Sequence, residues 1–265
     1  LTVFYIVMLF SELPNRLADI HGRIGLARDR GGHGQRVRIV AVTKTHGPDA
    51  VMAAMAAGIS DIGENKVQEA MGKQDALAAR AAMTGGIPSI APEAVSGGPA
   101  ALRWHLIGHL QRNKVKFLDR FSLFHAVDSA RLADAIDQLG QNGETPIDVL
   151  LEVNVSGEES KGGFGRDDFA REVERLATAA EAANTGDTRP GLRVCGVMTM
   201  APFDADEATL RHVFAGAREA RDICRAAGLP ADELSMGMSG DYEVAVEEGA
   251  TMVRLGTILF GERTP

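Results

Sequence analysis

The sequence predicts a parallel α/β fold, a single (β/α)8 TIM-type barrel with one extra N-terminal helix. Short apolar runs such as IVAV, VLLEV and VCGVM are typical of parallel strands that are covered on both faces. Helical segments separate these runs, and the alternation continues for eight repeats over roughly 225 residues. An open doubly wound sheet is the alternative. Such a sheet usually has a glycine-rich fingerprint after its first strand, where this chain reads KTHGPD.

The first helix is predicted to begin at Ser11, a candidate N-cap, because Leu17, Ile20 and Ile24 recur at helical spacing. The predicted strands are residues 37–42, 61–65, 103–107, 123–127, 149–153, 194–198, 234–236 and 252–255. The helices between them are predicted at residues 48–57, 66–79, 112–118, 130–139, 168–182, 206–227 and 242–248.

Two segments stand outside this alternation. Residues 80–101 are rich in Gly, Pro and Ala, and they predict a surface insertion within one domain over residues 11–265. A linker between two domains is the alternative, but the alternation resumes after the segment. Residues 1–10 are apolar except for Thr2 and predict an N-terminal extension, with an apolar strand packed on the domain as the alternative. They are shorter than the ~20 residues that span a bilayer.

Composition argues against several classes of function. With 28 basic and 36 acidic residues the net charge is −8, which does not suit nucleic acid or an anionic membrane as the main partner. Cys195 and Cys224 cannot form a disulfide framework, which favours the cytoplasm. The GxGxxG, HExxH, CxxC and GxSxG motifs are absent, and the histidines show no metal-ligand spacing. We therefore expect no metal.

Lys44 is the first candidate site residue. Functional groups of barrels lie at the carboxyl ends of strands, and Lys44 ends an apolar strand. Burial would lower the pKa of its amine, and a neutral amine can form a Schiff base with an aldehyde. An ion pair with an acid such as Glu64 is the alternative.

A second candidate site follows the last two predicted strands. LSMGMSGD and VRLGTILFG place Ser239, Gly240, Gly256 and Thr257 where barrels commonly bind phosphate. Ordinary turn glycines, with Ser239 capping a helix, are the alternative. A reactive lysine and a phosphate site at one barrel mouth suit an aldehyde that carries a phosphate, either pyridoxal 5′-phosphate (PLP) or a sugar phosphate.

Seven segments, in order, resemble the pyridoxal phosphate homeostasis (PLP-binding) proteins, which have the fold-type III barrel of the alanine racemase N-terminal domain. These segments are AVTKTH, DIGENKVQE, WHLIGHLQRNKVK, HAVDS, VNVSGEESKGG, GVMTM and LSMGMSGDYEVAVEEGATMVRLGTILFG. The resemblance covers about residues 11–262 apart from the insertion. The cofactor contacts that it implies are Lys44 with the aldehyde, Arg254 with the pyridine nitrogen, Met198 and Asn65 with the ring, and Ser239, Gly240, Gly256 and Thr257 with the phosphate.

The implied position of Arg254 bears on catalysis. A guanidinium has a pKa above ~12 and cannot accept a proton, so it would leave the ring nitrogen unprotonated and the ring a poor electron sink. Racemases of this fold also use a tyrosine base from a C-terminal domain. The chain ends at Pro265, and neither Tyr5 nor Tyr242 matches that base. Racemisation needs a proton donor on each face, and the second is missing from the expected site.

The leading hypothesis is a non-catalytic protein that binds PLP as a Schiff base and acts as a carrier or regulator in intracellular PLP homeostasis. We expect a cytoplasmic monomer, PLP-dependent apoenzymes as recipients, and neither nucleic acid nor membrane as partner. A PLP-dependent amino-acid racemase or lyase is the alternative, and a Schiff-base aldolase for a sugar phosphate is a third hypothesis. Trp104 and His105, within a predicted strand, are interpreted as core residues or as supports of the site.

Overall fold

A computed structural model describes residues 10–84, 102–158, 162–185 and 189–261. Its parallel strands form a closed barrel in which each strand pairs with the next and the eighth pairs with the first. The strands are β1 (Arg38–Val42), β2 (Asp61–Glu64), β3 (Arg103–Leu106), β4 (Leu123–Val127), β5 (Ile147–Glu152), β6 (Leu192–Met198), β7 (Glu233–Ser235) and β8 (Met252–Leu255). The predicted eight-stranded barrel is confirmed.

The helices alternate with the strands as predicted. Within the described residues they are α1 (Leu13–Gly31), α2 (Pro48–Ala56), α3 (Val67–Thr84), α4 (Ala130–Asn142), α5 (Arg166–Thr185), α6 (Glu207–Ala226), α7 (Tyr242–Glu247) and α8 (Thr257–Phe260). Residues Arg112–Arg120, predicted as a helix at 112–118, form a 3-10 helix between β3 and β4. Helix α8, directly after the last strand, was not predicted.

The start of α1 differs from the prediction. The N-cap position is Glu12, without a side-chain hydrogen bond, so the proposed cap at Ser11 is wrong. Pro14 lies in the first turn, where its fixed φ suits a helix and its missing N–H costs no hydrogen bond. Phe10 packs edge-to-face on Phe260, with ring centroids 5.7 Å apart. Residues 1–9, which make up the rest of the predicted extension, lie outside the described residues.

The predicted insertion begins later than its composition indicated. Residues 80–84 continue α3 to Thr84, since the alanine-rich sequence AARAAMT is compatible with a helix. The remaining residues of the segment, 85–101, lie outside the described part of the chain. The prediction of one domain over residues 11–265 therefore stays a prediction.

The extra helix α1 packs beside α7 on the outside of the barrel. Arg23 Nε donates to Glu243 Oε1 at 2.9 Å, and the Arg23 guanidinium lies 5.3 Å from the centroid of the Tyr242 ring. Helices α2, α4 and α6 contribute buried apolar side chains to the core, including Val51, Ile136 and Phe214. Several buried side chains on the strands, in contrast, are polar, and the functional site includes some of them.

Candidate functional site

The carboxyl ends of β7, β8 and β1 lie side by side. The Arg254 N–H donates to the carbonyl of Gly237, which follows β7, at 2.9 Å. A Cβ atom placed on Gly256 would lie 3.3 Å from the Val42 carbonyl oxygen at the end of β1. Because Lys44 follows Val42 by only two residues, the segments predicted to hold an aldehyde and a phosphate come to the same edge of the barrel.

Helix α3 holds the backbone on both sides of Lys44, which is half-buried in the turn after β1. Thr45 has a φ of 69°, a conformation that is unusual for a β-branched residue. Its N–H donates to Glu69 Oε1 at 2.5 Å, which helps to stabilise the strained turn. On the other side, Lys73 Nζ donates to the Thr43 carbonyl at 2.7 Å. The position of Lys44 is therefore tied to a helix, although it lies in a loop.

The carboxylate of Glu64 joins the same cluster. Lys73 Nζ and Thr43 Oγ1 both donate to Glu64 Oε1 at 2.5 Å, and Lys73 Nζ also donates to Glu69 Oε1 at 3.0 Å. Burial raises the pKa of Glu64 because it disfavours the charged form. We call Thr43, Glu64, Glu69 and Lys73 the Lys73 clamp. Glu64 is therefore paired with Lys73, and the alternative of an ion pair between Lys44 and an acid stays open.

The segments after β7 and β8 contact each other where the phosphate site is predicted. The Ile258 N–H donates to Ser239 Oγ at 3.4 Å, so Ser239 lies against the start of α8 and does not cap α7. Ser239 is half-buried, whereas Gly240 and Thr257 are exposed. A Cβ on Gly240 would meet no atom within 4 Å, so packing does not require glycine there. The alternative in which Ser239 caps α7, the helix that follows it, is therefore wrong.

Arg254 is buried at the end of β8. Its Nη1 donates to the carbonyl oxygen and to Oγ of Ser235, both at 2.7 Å, and its Nη2 donates to the Thr199 carbonyl at 3.0 Å. Burial lowers the pKa of Arg254 to about 10, while the charges of Asp241 and Glu152 act in the opposite direction. At neutral pH the guanidinium is therefore charged, fixed by neutral acceptors and out of water.

Asn65 and Met198 lie at the ends of two other strands. Asn65 is half-buried after β2, and a Cβ on Gly108 would lie only 2.5 Å from its carbonyl oxygen. The ends of β2 and β3 therefore approach so closely that Gly108 is required. Met198 is the last residue of β6 and is 1% exposed. Both positions agree with a location at the barrel mouth, and their contacts with a ring stay predictions.

The mouth also contains acidic groups that sequence reasoning left without a role. His109 Nδ1 lies 2.8 Å from Asp128 Oδ2, and both residues follow strands. Glu152 ends β5 and is 6% exposed, and its pKa is raised by burial and by the nearby charge of Asp128. Burial also raises the pKa of Asp241. Both shifts make the uncharged form of these carboxyl groups easier to reach than in water. The sequence could have pointed to His109 and Asp128, because they follow β3 and β4.

Two other classes of site find no support in the described part of the chain. Among the described residues, no group of three or more His, Cys, Asp or Glu side chains is arranged to hold a metal ion. Within the same residues, no helix combines the length and apolar character needed to cross a membrane.

The fold and the site now define a class of protein. A family model described as alanine racemase, N-terminal domain matches residues 17–264. The chain is 38% identical over 251 residues to a pyridoxal phosphate homeostasis protein from Aquifex aeolicus, covering 94% of this chain and 97% of that protein. It is 37% identical over 255 residues to the protein of the same name from Pseudomonas aeruginosa, covering 96% of each. The chain belongs to the pyridoxal phosphate homeostasis protein family.

A solved structure agrees with this assignment. PipY of Synechococcus elongatus, in a structure with PLP bound, has a TM-score of 0.72 and 31% sequence identity to this chain. The match covers 94% of this chain and 100% of that one. The names of these relatives indicate a homeostasis role for those proteins.

Proposed function

We propose that this chain binds PLP as a Schiff base on Lys44 and acts as a carrier or regulator in PLP homeostasis, without amino-acid turnover of its own. The observation that carries the proposal is the convergence of β7, β8 and β1. It brings an amine, a set of hydroxyl and backbone N–H donors, and a buried guanidinium to one barrel edge. PipY with PLP bound and the names of the relatives support the same cofactor.

The groups at this edge fit the cofactor's chemistry. Bound PLP supplies an aldehyde that can join an amine and a ring that can withdraw electrons. Unprotonated Lys44 Nζ attacks the aldehyde carbon, the carbonyl oxygen leaves as water, and a C=N bond replaces the C=O bond. Hydrolysis reverses the same steps and frees the cofactor. Ser239, Gly240, Gly256 and Thr257 bind the phosphate through hydroxyl and N–H donors, an arrangement suited to an anion.

Arg254 is assigned to the pyridine nitrogen. Two of its five N–H donors are not used by the acceptors that hold it within the described residues. At neutral pH the charged guanidinium donates a hydrogen bond to the ring nitrogen but does not transfer its proton to that nitrogen. The ring then stays neutral and withdraws electrons weakly, which favours holding the cofactor over carbanion chemistry.

The described residues also offer no tyrosine for proton transfer at the mouth. Tyr242 is 1% exposed on α7, packed against Arg23 of α1, and burial raises its pKa. Tyr5 lies outside the described residues. Tyr242 is thus held in the outer helix layer and is the wrong group to act as a base opposite Lys44.

Location and partners form part of the proposal. Cys195 and Cys224 are free thiols, and burial raises their pKa values to about 11 and about 12, which keeps them unreactive. We place the protein in the cytoplasm as a monomer, with PLP-dependent apoenzymes as recipients of the cofactor. Size-exclusion chromatography of the loaded protein checks the monomer, and activation of an apoenzyme added to it checks the transfer.

The decisive experiment traps the linkage. PLP is added to the purified protein, the visible band is recorded, and borohydride then reduces the C=N bond to a stable amine that peptide mapping can locate. We expect the band and the label on Lys44, and the loss of both in Lys44→Ala. Lys66→Ala is the matched control because Lys66 is an exposed lysine near the same mouth. An undiminished label on another lysine in Lys44→Ala would refute the assignment.

The alternative of an amino-acid racemase or lyase is tested on the same preparation. Loaded protein is incubated with L-alanine in deuterated water, and α-deuterium and D-alanine are measured. We expect exchange no faster than with free PLP. Rapid racemisation would replace the homeostasis proposal by the enzymatic one.

A further inference from the structure

A chain of buried polar side chains links Arg254 to the opposite part of the barrel. Ser235 Oγ, which accepts from Arg254, lies 2.9 Å from His125 Nδ1. His125 Nε2 lies 2.8 Å from His105 Nδ1, and His105 Nε2 lies 2.9 Å from Asp61 Oδ1. All five residues are at most 5% exposed. The chain joins β8, β7, β4, β3 and β2, and the proposed function gives a role to Arg254 alone.

The Asp61 end of the chain is fixed as an acceptor. Arg103 Nε and Nη2 donate to the Asp61 carboxylate at 2.7 and 2.5 Å, and Arg38 Nη1 lies 3.9 Å from it. The hydrogen bonds from His105 and Arg103 hold the pKa of Asp61 well below its usual range despite burial. An ionised carboxylate only accepts, so His105 Nε2 carries a hydrogen.

The hydrogen bonds of Ser235 determine where the remaining hydrogens of the chain lie. If His105 also carried a hydrogen on Nδ1, it would donate to His125 Nε2, and His125 would then donate from Nδ1 to Ser235 Oγ. Ser235 Oγ would receive hydrogens from both His125 and Arg254, and its own hydrogen would have no acceptor among the described residues. At 0% exposure for Ser235, water cannot supply that acceptor.

One arrangement satisfies every member. Arg254 donates to Ser235, Ser235 donates to His125 Nδ1, His125 Nε2 donates to His105 Nδ1, and His105 Nε2 donates to Asp61. Both rings are then neutral and have the same tautomer. Burial and the nearby charge of Arg254 hold the pKa of His125 well below its usual value, which agrees with a neutral ring.

We propose that this hydrogen-bonded chain, which we call the barrel relay, is a positioning device that fixes the guanidinium of Arg254 for the pyridine nitrogen of PLP. The proposal rests on the proposed function. The relay presents a neutral hydroxyl to Arg254, so it orients the guanidinium without cancelling its charge. The carbonyls of Ser235 and Thr199 add two more neutral acceptors. Asp241 and Glu152 influence Arg254 only through their charges and are not bonded to it within the described residues.

The first test uses the protein without cofactor. Histidine side chains are labelled with nitrogen-15, and His105→Gln and His125→Gln assign the two relay rings, with triple-resonance assignment if a variant does not fold. We expect both rings to show an unprotonated Nδ1 and a protonated Nε2, the pattern of two neutral rings with the same tautomer. His21 and His212, away from the relay, serve as internal controls. A protonated Nδ1 on either relay ring would overturn the relay.

The second test asks whether the relay acts on the ring nitrogen. Affinities are measured for PLP and for its analogue in which carbon replaces the ring nitrogen. We expect wild-type protein to prefer PLP by roughly ten- to a hundredfold, and Ser235→Ala to lose at least threefold of that preference. Ser235→Thr, which keeps a hydroxyl, should retain it. Because the Ser235 hydroxyl is assigned no contact with the ligand, a reduced preference in Ser235→Ala would come from the loss of its hydrogen bond to Arg254.

The outcomes separate the two proposals. If PLP forms no linkage to Lys44, the proposed function fails and the role of the relay fails with it. The nitrogen-15 measurement still tests which ring nitrogens of the relay carry hydrogens. If PLP binds through Lys44 but Ser235→Ala leaves the preference unchanged, the proposed function stands and the positioning role is refuted.

Discussion

Replacing Lys73 by methionine tests the idea that α3 holds Lys44 in place. The substitution keeps an unbranched side chain, shorter by one atom, but removes the cation that is 2.5 Å from Glu64 Oε1 and 2.7 Å from the Thr43 carbonyl. Breaking a buried ion pair on one side typically costs about 3–5 kcal/mol, because the remaining charge loses its partner. With Lys73 5% exposed and Glu64 0% exposed, water cannot replace the cation. We therefore expect a loss of about 3–5 kcal/mol in the free energy of unfolding at pH 7.

The pH dependence of that loss identifies its cause. Burial already raises the folded-state pKa of Glu64, and loss of Lys73 raises it further. A carboxyl group whose folded pKa exceeds its unfolded value of about 4.3 favours the folded state most when it is protonated, at low pH. Its contribution declines as pH rises through the folded pKa. The penalty of Lys73→Met should thus be smaller at pH 5 than at pH 7.

Urea unfolding at the two pH values measures both quantities. Lys66→Met is the matched control, since Lys66 is exposed just before α3 and should change stability by less than about 0.5 kcal/mol. Adding Glu64→Gln to Lys73→Met should regain part of the loss by removing the uncompensated charge. A penalty below about 1 kcal/mol at pH 7, or one that does not shrink at pH 5, would refute the reasoning. PLP loading should fall in Lys73→Met and not in Lys66→Met.

Three further predictions concern the mouth. Ser239→Ala with Thr257→Ala should weaken PLP binding by about ten- to a hundredfold per lost hydrogen bond, while affinity for pyridoxal, which lacks the phosphate, stays nearly unchanged; equal weakening would mean that these residues only shape the loop. Arg254→Glu should raise α-deuterium incorporation into alanine per bound PLP, by protonating the ring nitrogen, even if PLP binds less well; an unchanged rate would contradict the electronic argument. Gly108→Ala should lower the unfolding midpoint in urea, since its Cβ would lie 2.5 Å from the Asn65 carbonyl oxygen, whereas Gly22→Ala, with open space around it, should not.

The barrel could be predicted because its signal is local. Each strand is a short apolar run, and β4 and β8 have the predicted bounds. Errors occur where neighbours compete with a local pattern. Ser11 is a good capping residue in isolation, but Pro14 and Phe10 settle the start of α1. Residues 112–118 have helical spacing, but the short connection between β3 and β4 takes the tighter 3-10 form.

Candidate site residues could be proposed from the sequence only where they follow strands closely, as Lys44, Ser239 and Gly256 do. The structure brings the segments that carry them to one barrel edge, and their contacts with a cofactor stay predictions. The barrel relay was missed because its members lie within strands, where a lone histidine is indistinguishable from a core residue. His125 and Ser235 are 110 positions apart, and only strand order and register bring them together. The Lys73 clamp was missed because its members lie in β2, in α3 and after β1, and the sequence alone does not show that Lys73 reaches Glu64.

Binding and turnover place different demands on this site, and the structure meets them unequally. In the proposed function, the phosphate donors and the Lys44 linkage act on the cofactor in every state, so they would increase affinity without lowering a reaction barrier. A barrier to α-proton removal falls only if the ring accepts the developing negative charge. Arg254 is held by neutral acceptors, and its pKa of about 10 keeps it charged, so it has no proton to give the ring nitrogen at neutral pH. In the proposed site, the same buried guanidinium would orient the cofactor and limit its reactivity, which is the combination that a cofactor carrier requires.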